Sequence, residues 1–416
     1  MSPQGEGERK GARALMTPTP RGKPRSLAGA TILQLVPALR DDPLGRAAVD
    51  IALALLQSGA RAIVAGDDGP LLGELRAIGG EWLSMPNDTF NPLRIKRNAR
   101  LLAKLIAAER IDIVHAHNAG AAWSALAATK RMPVFLVTSF PDQPATNFRP
   151  GNRFRSSLAR GDRVIAPSSY VSHAMLARYQ IPPERISVIP RSIDTTIFNP
   201  ALVRPERVAA LRRTWGVLPN VRVVLTPGRI APENGQLTLV EAARLLVAGG
   251  GERNIAFVLA GDDRADKSYT RTLLQHARAH GVDTLFRLVG PSADMATALA
   301  AADVMAVTAL EPLLSGRAVV EAQAFGRPVV ASTVGVLPES VLCPPRMRDD
   351  LRTGWLVRPG DAGQLARALG TVLALDVTAY EALGARARQF AEFAFSPQSV
   401  AVAIRGVYTS LLARDA

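Results

Sequence analysis

Hydrophobic and polar positions along the chain fall into two alternating rhythms. Short β-branched runs occur at "TILQLV", "RAIVAG", "DIVHA", "PVFLVTS" and "DRVIAPS" in the first half, and at "VRVVLTPG", "IAFVLAGD", "TLFRLVG", "DVMAVTA" and "RPVVAS" in the second. These runs are continuously apolar rather than alternating, which fits strands buried on both faces of a parallel sheet. Between them lie segments with helical periodicity, such as "LGRAAVDIALALLQSG" and "GQLTLVEAARLLVAGG". Strand–helix alternation of this kind predicts an α/β fold with doubly wound sheets. The pattern occurs twice, with a break at "NPALVRPERVAALRRTWGVLPN", where Pro200, Pro205 and Pro219 bracket a short helix. A chain of 416 residues exceeds what one core usually supports, so two domains are expected. The pattern predicts a disordered basic tail over 1–26, a Rossmann-like domain over 27–199, a linker over 200–219, a second Rossmann-like domain over 220–390, and over 391–416 a last amphipathic helix packing back across the domains, with a ligand cleft between the two.

Composition adds the balance of an ordinary soluble protein, with 48% apolar and 21% charged residues. One cysteine, Cys343, leaves no internal disulfide and no cysteine-rich metal site, which fits a reducing, cytoplasmic setting. No run approaches the roughly 18 apolar residues of a spanning helix. The tail carries six basic and two acidic residues without the apolar stretch that a secretory signal needs.

Charge changes the picture more. Fifty basic against 36 acidic residues leave a net +14, concentrated in "NPLRIKRNARLLAKLIAAER" and "NFRPGNRFRSSLARGDR". The first has Leu93, Leu101, Leu102, Leu105 and Ile106 at near-helical spacing, which predicts an amphipathic helix with an Arg/Lys face. Such a face is either simply solvated, or rests on anionic lipid headgroups at the inner membrane or steers phosphorylated substrates. No aromatic residues interleave with the charges to stack bases, so no nucleic-acid partner is expected.

In doubly wound sheets ligands bind beyond the carboxyl ends of the strands, so the loops there carry the candidate chemistry. "TPGRIAPENGQ" places Arg229 over the cleft, suited to a bidentate grip on phosphate, with Glu233 as the alternative local partner. Gly261 in "LAGDD" lets the backbone bend at a second strand end. "LLSGRAVVEAQAFGRPVV" begins a helix near Ser315–Gly316 whose free N–H groups and positive dipole end suit an anion, with Gly316 permitting close approach. Glu321, five residues on, suits two hydrogen bonds from a ribose; its alternative role is a buried structural acid. Glu311, ten positions before Glu321, is either a displaced catalytic acid or a surface or hinge acid. His115 and His117 point the same way on a strand, yet no third ligand is evident and no metal is expected. No GxGxxG fingerprint follows either first strand.

The ordered set "PGR…GQ", "LAGDD", "LVG", "ADV", "GRAVVEAQAFGRPVVAS" and "TGWLVRPGD" resembles the second half of the retaining GT-B glycosyltransferases of the family 4 type, which includes sucrose and mannosyl transferases. "ILQLVPAL", "DIVHAHNAGAAWSALAA", "ARGDRVIAPSSYV" and "VIPRSIDTTIFNP" extend the likeness to roughly residues 30 to 390. The resemblance implies a GT-B fold and metal-independent, retaining transfer of a sugar from a UDP-, GDP- or ADP-sugar to a cell-envelope glycan or lipid-linked acceptor, as in polysaccharide or lipopolysaccharide synthesis. No cofactor beyond the donor is implied. It gives Arg229 and the Gly316–Arg317 helix end a diphosphate role and Glu321 a ribose role, puts Asn234, Gly261 and Gly290 in the donor loops, and puts Arg46, His117 and Asp142 on the acceptor side. The chain departs from the family pattern at Asn234, Leu313 and Pro141, where the resemblance implies lysine, glutamate and histidine. The alternative it leaves is a protein that binds nucleotide or sugar without turnover and serves a partner enzyme.

Overall fold

The computed structural model describes residues 26–130, 132–140, 154–249, 254–264 and 266–413. The expected tail up to Arg25, and Pro141 and Asp142, lie outside the described residues. Two parallel sheets organise the rest. The first comprises β1 (Thr31–Ala38), β2 (Arg61–Asp67), β3 (Glu81–Ser84), β4 (Ile113–Ala116), β5 (Phe135–Ser139), β6 (Arg163–Ala166) and β7 (Ile186–Val188) in the order β3-β2-β1-β4-β5-β6-β7. The second comprises β8 (Arg222–Pro227), β9 (Ile255–Ala260), β10 (Phe286–Leu288), β11 (Val304–Val307), β12 (Val329–Ser332) and β13 (Trp355–Val357) in the order β10-β9-β8-β11-β12-β13.

Side chains alternate across each pleat, so an apolar run feeds two cores at once. In β1, Ile32 and Val36 join one cluster while Leu33 and Leu35 join that on the opposite face. Helices cover both faces, as the continuous runs require. In each sheet the strand order reverses beside the first strand, between β1 and β4 and between β8 and β11, and the crevice beyond those strands is where doubly wound folds hold ligands. The ten sequence-predicted strands are all present; β3, β7 and β13 are additional. These three are only three or four residues long and partly exposed.

The chain passes between lobes twice. Ile193, Phe198, Trp215 and Val217 already pack into the second lobe's core, so the segment around Pro205–Thr214 is part of that lobe and not a free tether. Helix Val377–Phe395 runs straight through position 390, with Ala391 in the second core. The return comes at Ser396, whose hydroxyl accepts from the Ser399 N–H and caps helix Pro397–Leu412. That helix inserts Val400, Ile404, Val407, Tyr408, Leu411 and Leu412 into the core of the first lobe.

Helix Pro92–Glu109 is the basic amphipathic helix, started by Asn91, which accepts from the Leu93 and Arg94 N–H groups. Its buried face is Asn98, Ala99, Leu102 and Ile106. Two expected apolar contacts turn outward instead: Leu93 is 77% exposed and Leu101 46%. Leu93 sits in the first turn, ahead of the buried positions, and Leu101 lies about 100° around the helix from the buried Leu102.

Candidate functional site

The lobes meet at a cleft lined by Pro167, Arg191 and Ser192 from the first lobe's side and by Ser315, Gly316 and Arg317 from the second. Helix Arg317–Ala324 starts there with Gly316 as its N-cap. A Cβ on Gly316 would lie 2.2 Å from Ser340 Oγ, so any larger residue would have to displace that hydroxyl. The Arg317 N–H has a long 3.3 Å contact to Ser315 Oγ, a weak local cap for a helix end that still borders the cleft.

Glu321 sits one turn further in, 7% exposed, with Oε1 accepting from Arg317 Nε at 2.5 Å. Burial raises its pKa, opposed by the hydrogen bond and charge of Arg317. Glu321 is not among the residues that line the recess at Gly316; it lies behind the guanidinium of Arg317, which is itself half exposed.

Beside this helix the loops after β8 and β11 lock together. Leu310 N–H and Glu311 N–H both donate to the Glu233 carbonyl, at 2.8 and 3.3 Å, and Thr308 Oγ1 donates to the Asn234 carbonyl at 2.8 Å. The loop after β9 is pressed equally close: a Cβ on Gly261 would fall 1.6 Å from the Gly228 carbonyl. The fold thus gathers Arg229, Asn234, Gly261 and Glu311 around one loop cluster, with Gly316, Arg317 and Glu321 on the next element after β11. Gly290 ends β10 on the far side of β9 with φ of +72°, a left-handed turn that favours glycine.

Individual placements bear on the alternatives left open by the sequence. Arg229 is 65% exposed and pairs with Glu233 at 3.1 Å, the local partner foreseen for it. The Asn234 amide donates to the Arg229 carbonyl at 2.8 Å, a bond that Gln236 duplicates. Glu311 is exposed on its loop. Leu313 packs against the second core, and its carbonyl accepts from the Val336 N–H at 3.0 Å.

In the first lobe Arg46 is held by Asp41 and Glu74, each at 2.8 Å, on the exposed first turns of helix Pro43–Gln57. His117 is buried at the end of β4, its Nε2–H donating to Gln34 Oε1 at 3.2 Å, and its pKa is pushed down to about 3 by burial and then by the charge of Arg191. Both ring nitrogens of His115 are taken, Nδ1 by Tyr408 Oη at 2.6 Å and Nε2 by Ser139 Oγ at 2.7 Å. Both histidines are thus held by hydrogen bonds within the first lobe, and their rings lie 3.9 Å apart between centroids.

One cleft contact has no counterpart in the sequence reading. Both carboxylate oxygens of Glu339, after β12, accept from backbone N–H groups of the other lobe, Ser169 and Tyr170, each at 2.7 Å. An acid on the dipole end of helix Ser169–Tyr179 is a stabilising placement, and here it clasps the lobes together. No local signal announces a partner 170 residues away.

Two family models match the chain: "Glycosyltransferase Family 4" over residues 44–197 and "Glycosyl transferases group 1" over residues 221–374. Among curated proteins it is 28% identical over 243 residues to a D-inositol 3-phosphate glycosyltransferase of Corynebacterium glutamicum, covering 58% of this chain and 55% of the relative. The protein of the same description from Thermobispora bispora is 31% identical over 259 residues, covering 61% and 57%. The chain thus spans about half the length of the curated relatives it matches. Among solved structures, a glycosyltransferase from Rickettsia africae superposes with a TM-score of 0.73 at 26% identity, over 92% of this chain and 99% of that one. HepE of Anabaena, solved in complex with UDP, shares the fold with a TM-score of 0.68 at 23% identity, over 92% and 100%.

Proposed function

The chain belongs to the GT-B glycosyltransferases of the family 4 type, and from that premise we propose that it transfers a sugar from a nucleotide-diphosphate sugar to a cell-envelope glycan or glycolipid, with retention of configuration. The observation that carries the reading is helix Arg317–Ala324, which brings a glycine-capped N-terminus and an arginine to the interlobe cleft with a buried carboxylate one turn behind. In the proposed complex the N–H groups at Gly316–Arg317 and the guanidinium of Arg229 hold the diphosphate. Arg229 exchanges its exposed partner Glu233 for the ligand, at little cost because exposed ion pairs contribute about 0–1 kcal/mol. Arg317 swings from Glu321 towards phosphate, and the freed carboxylate accepts the ribose hydroxyls. As the sugar leaves, charge grows on the diphosphate; one positioned donor at such a point contributes about 3–4 kcal/mol, or 10²–10³ in rate. The acceptor docks from the first lobe, where Arg191 and His117 line an adjoining recess. The curated relatives' printed descriptions add a phosphorylated cyclitol as an acceptor class to try.

A panel of UDP-, GDP- and ADP-sugars tests this reading by thermal shift and then by donor hydrolysis and transfer. At 100 times Kd a ligand that binds only the folded protein stabilises it by about 2.7 kcal/mol, a readily measured shift. No shift with any nucleotide would remove the proposal. A second reading, binding without turnover, draws on Asn234, whose amide supports the Arg229 carbonyl and supplies no second cation. A thermal shift without hydrolysis or transfer would favour it.

We also propose that the first lobe rests against anionic membrane. Arg94, Lys96, Arg97, Arg100 and Lys104 are exposed along helix Pro92–Glu109, next to Leu93 and to Phe90, which is 70% exposed. Among the described residues no single helix is long and apolar enough to cross a membrane. The chain is expected to co-sediment with phosphatidylglycerol vesicles at low salt and to be released near 1 M salt, where the screening length falls to about 3 Å. Equal sedimentation with uncharged vesicles, or with all five basic residues changed to glutamine, would count against it.

A further inference from the structure

The second lobe carries a cluster that plays no part in the cleft chemistry. Glu241 lies in helix Gln236–Ala248, and His276 and His280 lie one turn apart at the end of helix Lys267–Ala279 and its C-cap. Glu241 Oε1 is 2.7 Å from His276 Nε2 and 2.9 Å from His280 Nε2. The three donor atoms all fall within 4.8 Å of one another, and the imidazole rings meet edge to face, at 82°, with centroids 4.6 Å apart. Arg244 Nε donates to the other carboxylate oxygen at 3.0 Å and fixes its orientation.

We infer that Glu241, His276 and His280 form a binding site for a divalent transition-metal ion of the zinc class. Two imidazole nitrogens and one carboxylate oxygen are the donor set of three-ligand zinc sites, which leave a fourth position for water. Two histidines at i and i+4 share one helix face and present their nitrogens to one point. Imidazole selects Zn²⁺, Cu²⁺, Ni²⁺ or Co²⁺, whereas Mg²⁺ and Ca²⁺ take oxygen ligands. A tetrahedral ion about 2.0–2.2 Å from each donor separates the donors by roughly 3.3 Å. The two contacts to Glu241 need to open by about half an ångström, and the two Nε2 atoms already lie within 4.8 Å of each other, within reach of side chains that are about one-third exposed. With the ion bound at Nε2, each ring carries its proton on Nδ1.

Occupancy would join the two helices that follow β8 and β9. Helix Gln236–Ala248 begins directly after the Arg229–Asn234 loop, and Glu241 lies five residues in, about 7.5 Å along the helix. A metal there stakes the base of the loop cluster to its neighbour without touching the cleft.

The experiment titrates the full-length, tag-free chain with Zn²⁺, with Co²⁺ as a spectroscopic probe and Mg²⁺ as a control. Expected are one saturable ion per chain, visible Co²⁺ d–d bands, a rise of several degrees in Tm with Zn²⁺, and no effect of Mg²⁺. His276→Ala, His280→Ala and Glu241→Gln should each weaken binding by at least tenfold, and the double histidine variant should abolish the Co²⁺ bands. The remaining histidines, among five in the chain, are His115, His117 and His173, so little else of this ligand type can substitute. Apo Tm values of the variants near that of the parent confirm that they fold. No saturable binding by the parent, or unchanged binding by the double variant, would overturn the site.

Discussion

Glu321→Gln is expected to abolish the thermal shift given by sugar nucleotides while leaving the unliganded protein as stable as the parent, or more so. The two halves of this result have opposite causes. A ribose diol donates to a carboxylate through charge-assisted hydrogen bonds of about 1.5–3 kcal/mol each, and a neutral amide keeps at most part of them. Affinity should fall by roughly 10²-fold, one factor of ten for each 1.4 kcal/mol. Stability moves the other way because burial raises the Glu321 pKa above its unfolded value despite Arg317. A carboxyl with a raised folded pKa favours the folded state when protonated, and that advantage is lost as pH rises through the folded pKa. At neutral pH the ionised group is therefore a load on the fold, of the kind that functional sites carry. Gln removes the charge and keeps the volume, and Arg317, half exposed, is rehydrated. A variant with the parent's nucleotide affinity would show that Glu321 is a structural acid and would remove the ribose contact from the proposed site.

Deleting Pro397–Leu412 is expected to unfold the first lobe and spare the second. The helix belongs by chain order to the second lobe, yet Val400, Ile404, Val407, Tyr408, Leu411 and Leu412 are buried in the core built on β1 and β2. Burial of a large apolar side chain contributes about 1.5–3 kcal/mol, so six amount to roughly 10 kcal/mol or more. A domain's whole stability is about 5–15 kcal/mol. Calorimetry of the truncated chain should show one transition in place of two, and retention of both would refute this account of the helix. A milder probe is Tyr408→Phe, which strips Oη from the buried His115 Nδ1 and should cost about 1–3 kcal/mol. Acid strikes the same place. His115 and His117 have pKa values depressed mainly by burial, His117 to about 3 from an ordinary 6.5. Their neutral forms favour the fold above the unfolded value, and that contribution is lost as pH falls from about 6.5 towards 3. The first lobe should be the more acid-labile.

By itself the sequence determined the architecture and which loops meet beyond the strand ends. Continuous apolar strands could pack only as parallel sheets covered on both faces, and the loops carrying Arg229, Gly261 and Gly316, with Glu321 behind them, had to gather at the carboxyl end of the second sheet. These are local facts: periodicity fixes which face is buried, and a strand–loop–helix order fixes which end a loop occupies. Tertiary structure alone decided the partners. It set the Asn234 amide on a backbone carbonyl, Arg46 between two acids, and Leu93 and Leu101 towards solvent. It carried the last helix into the first lobe, Glu339 onto a helix end 170 residues earlier, and Glu241 against His276 and His280. Each of these depends on how one element sits on another, and a long-range contact leaves no periodicity in the chain for a reader to detect.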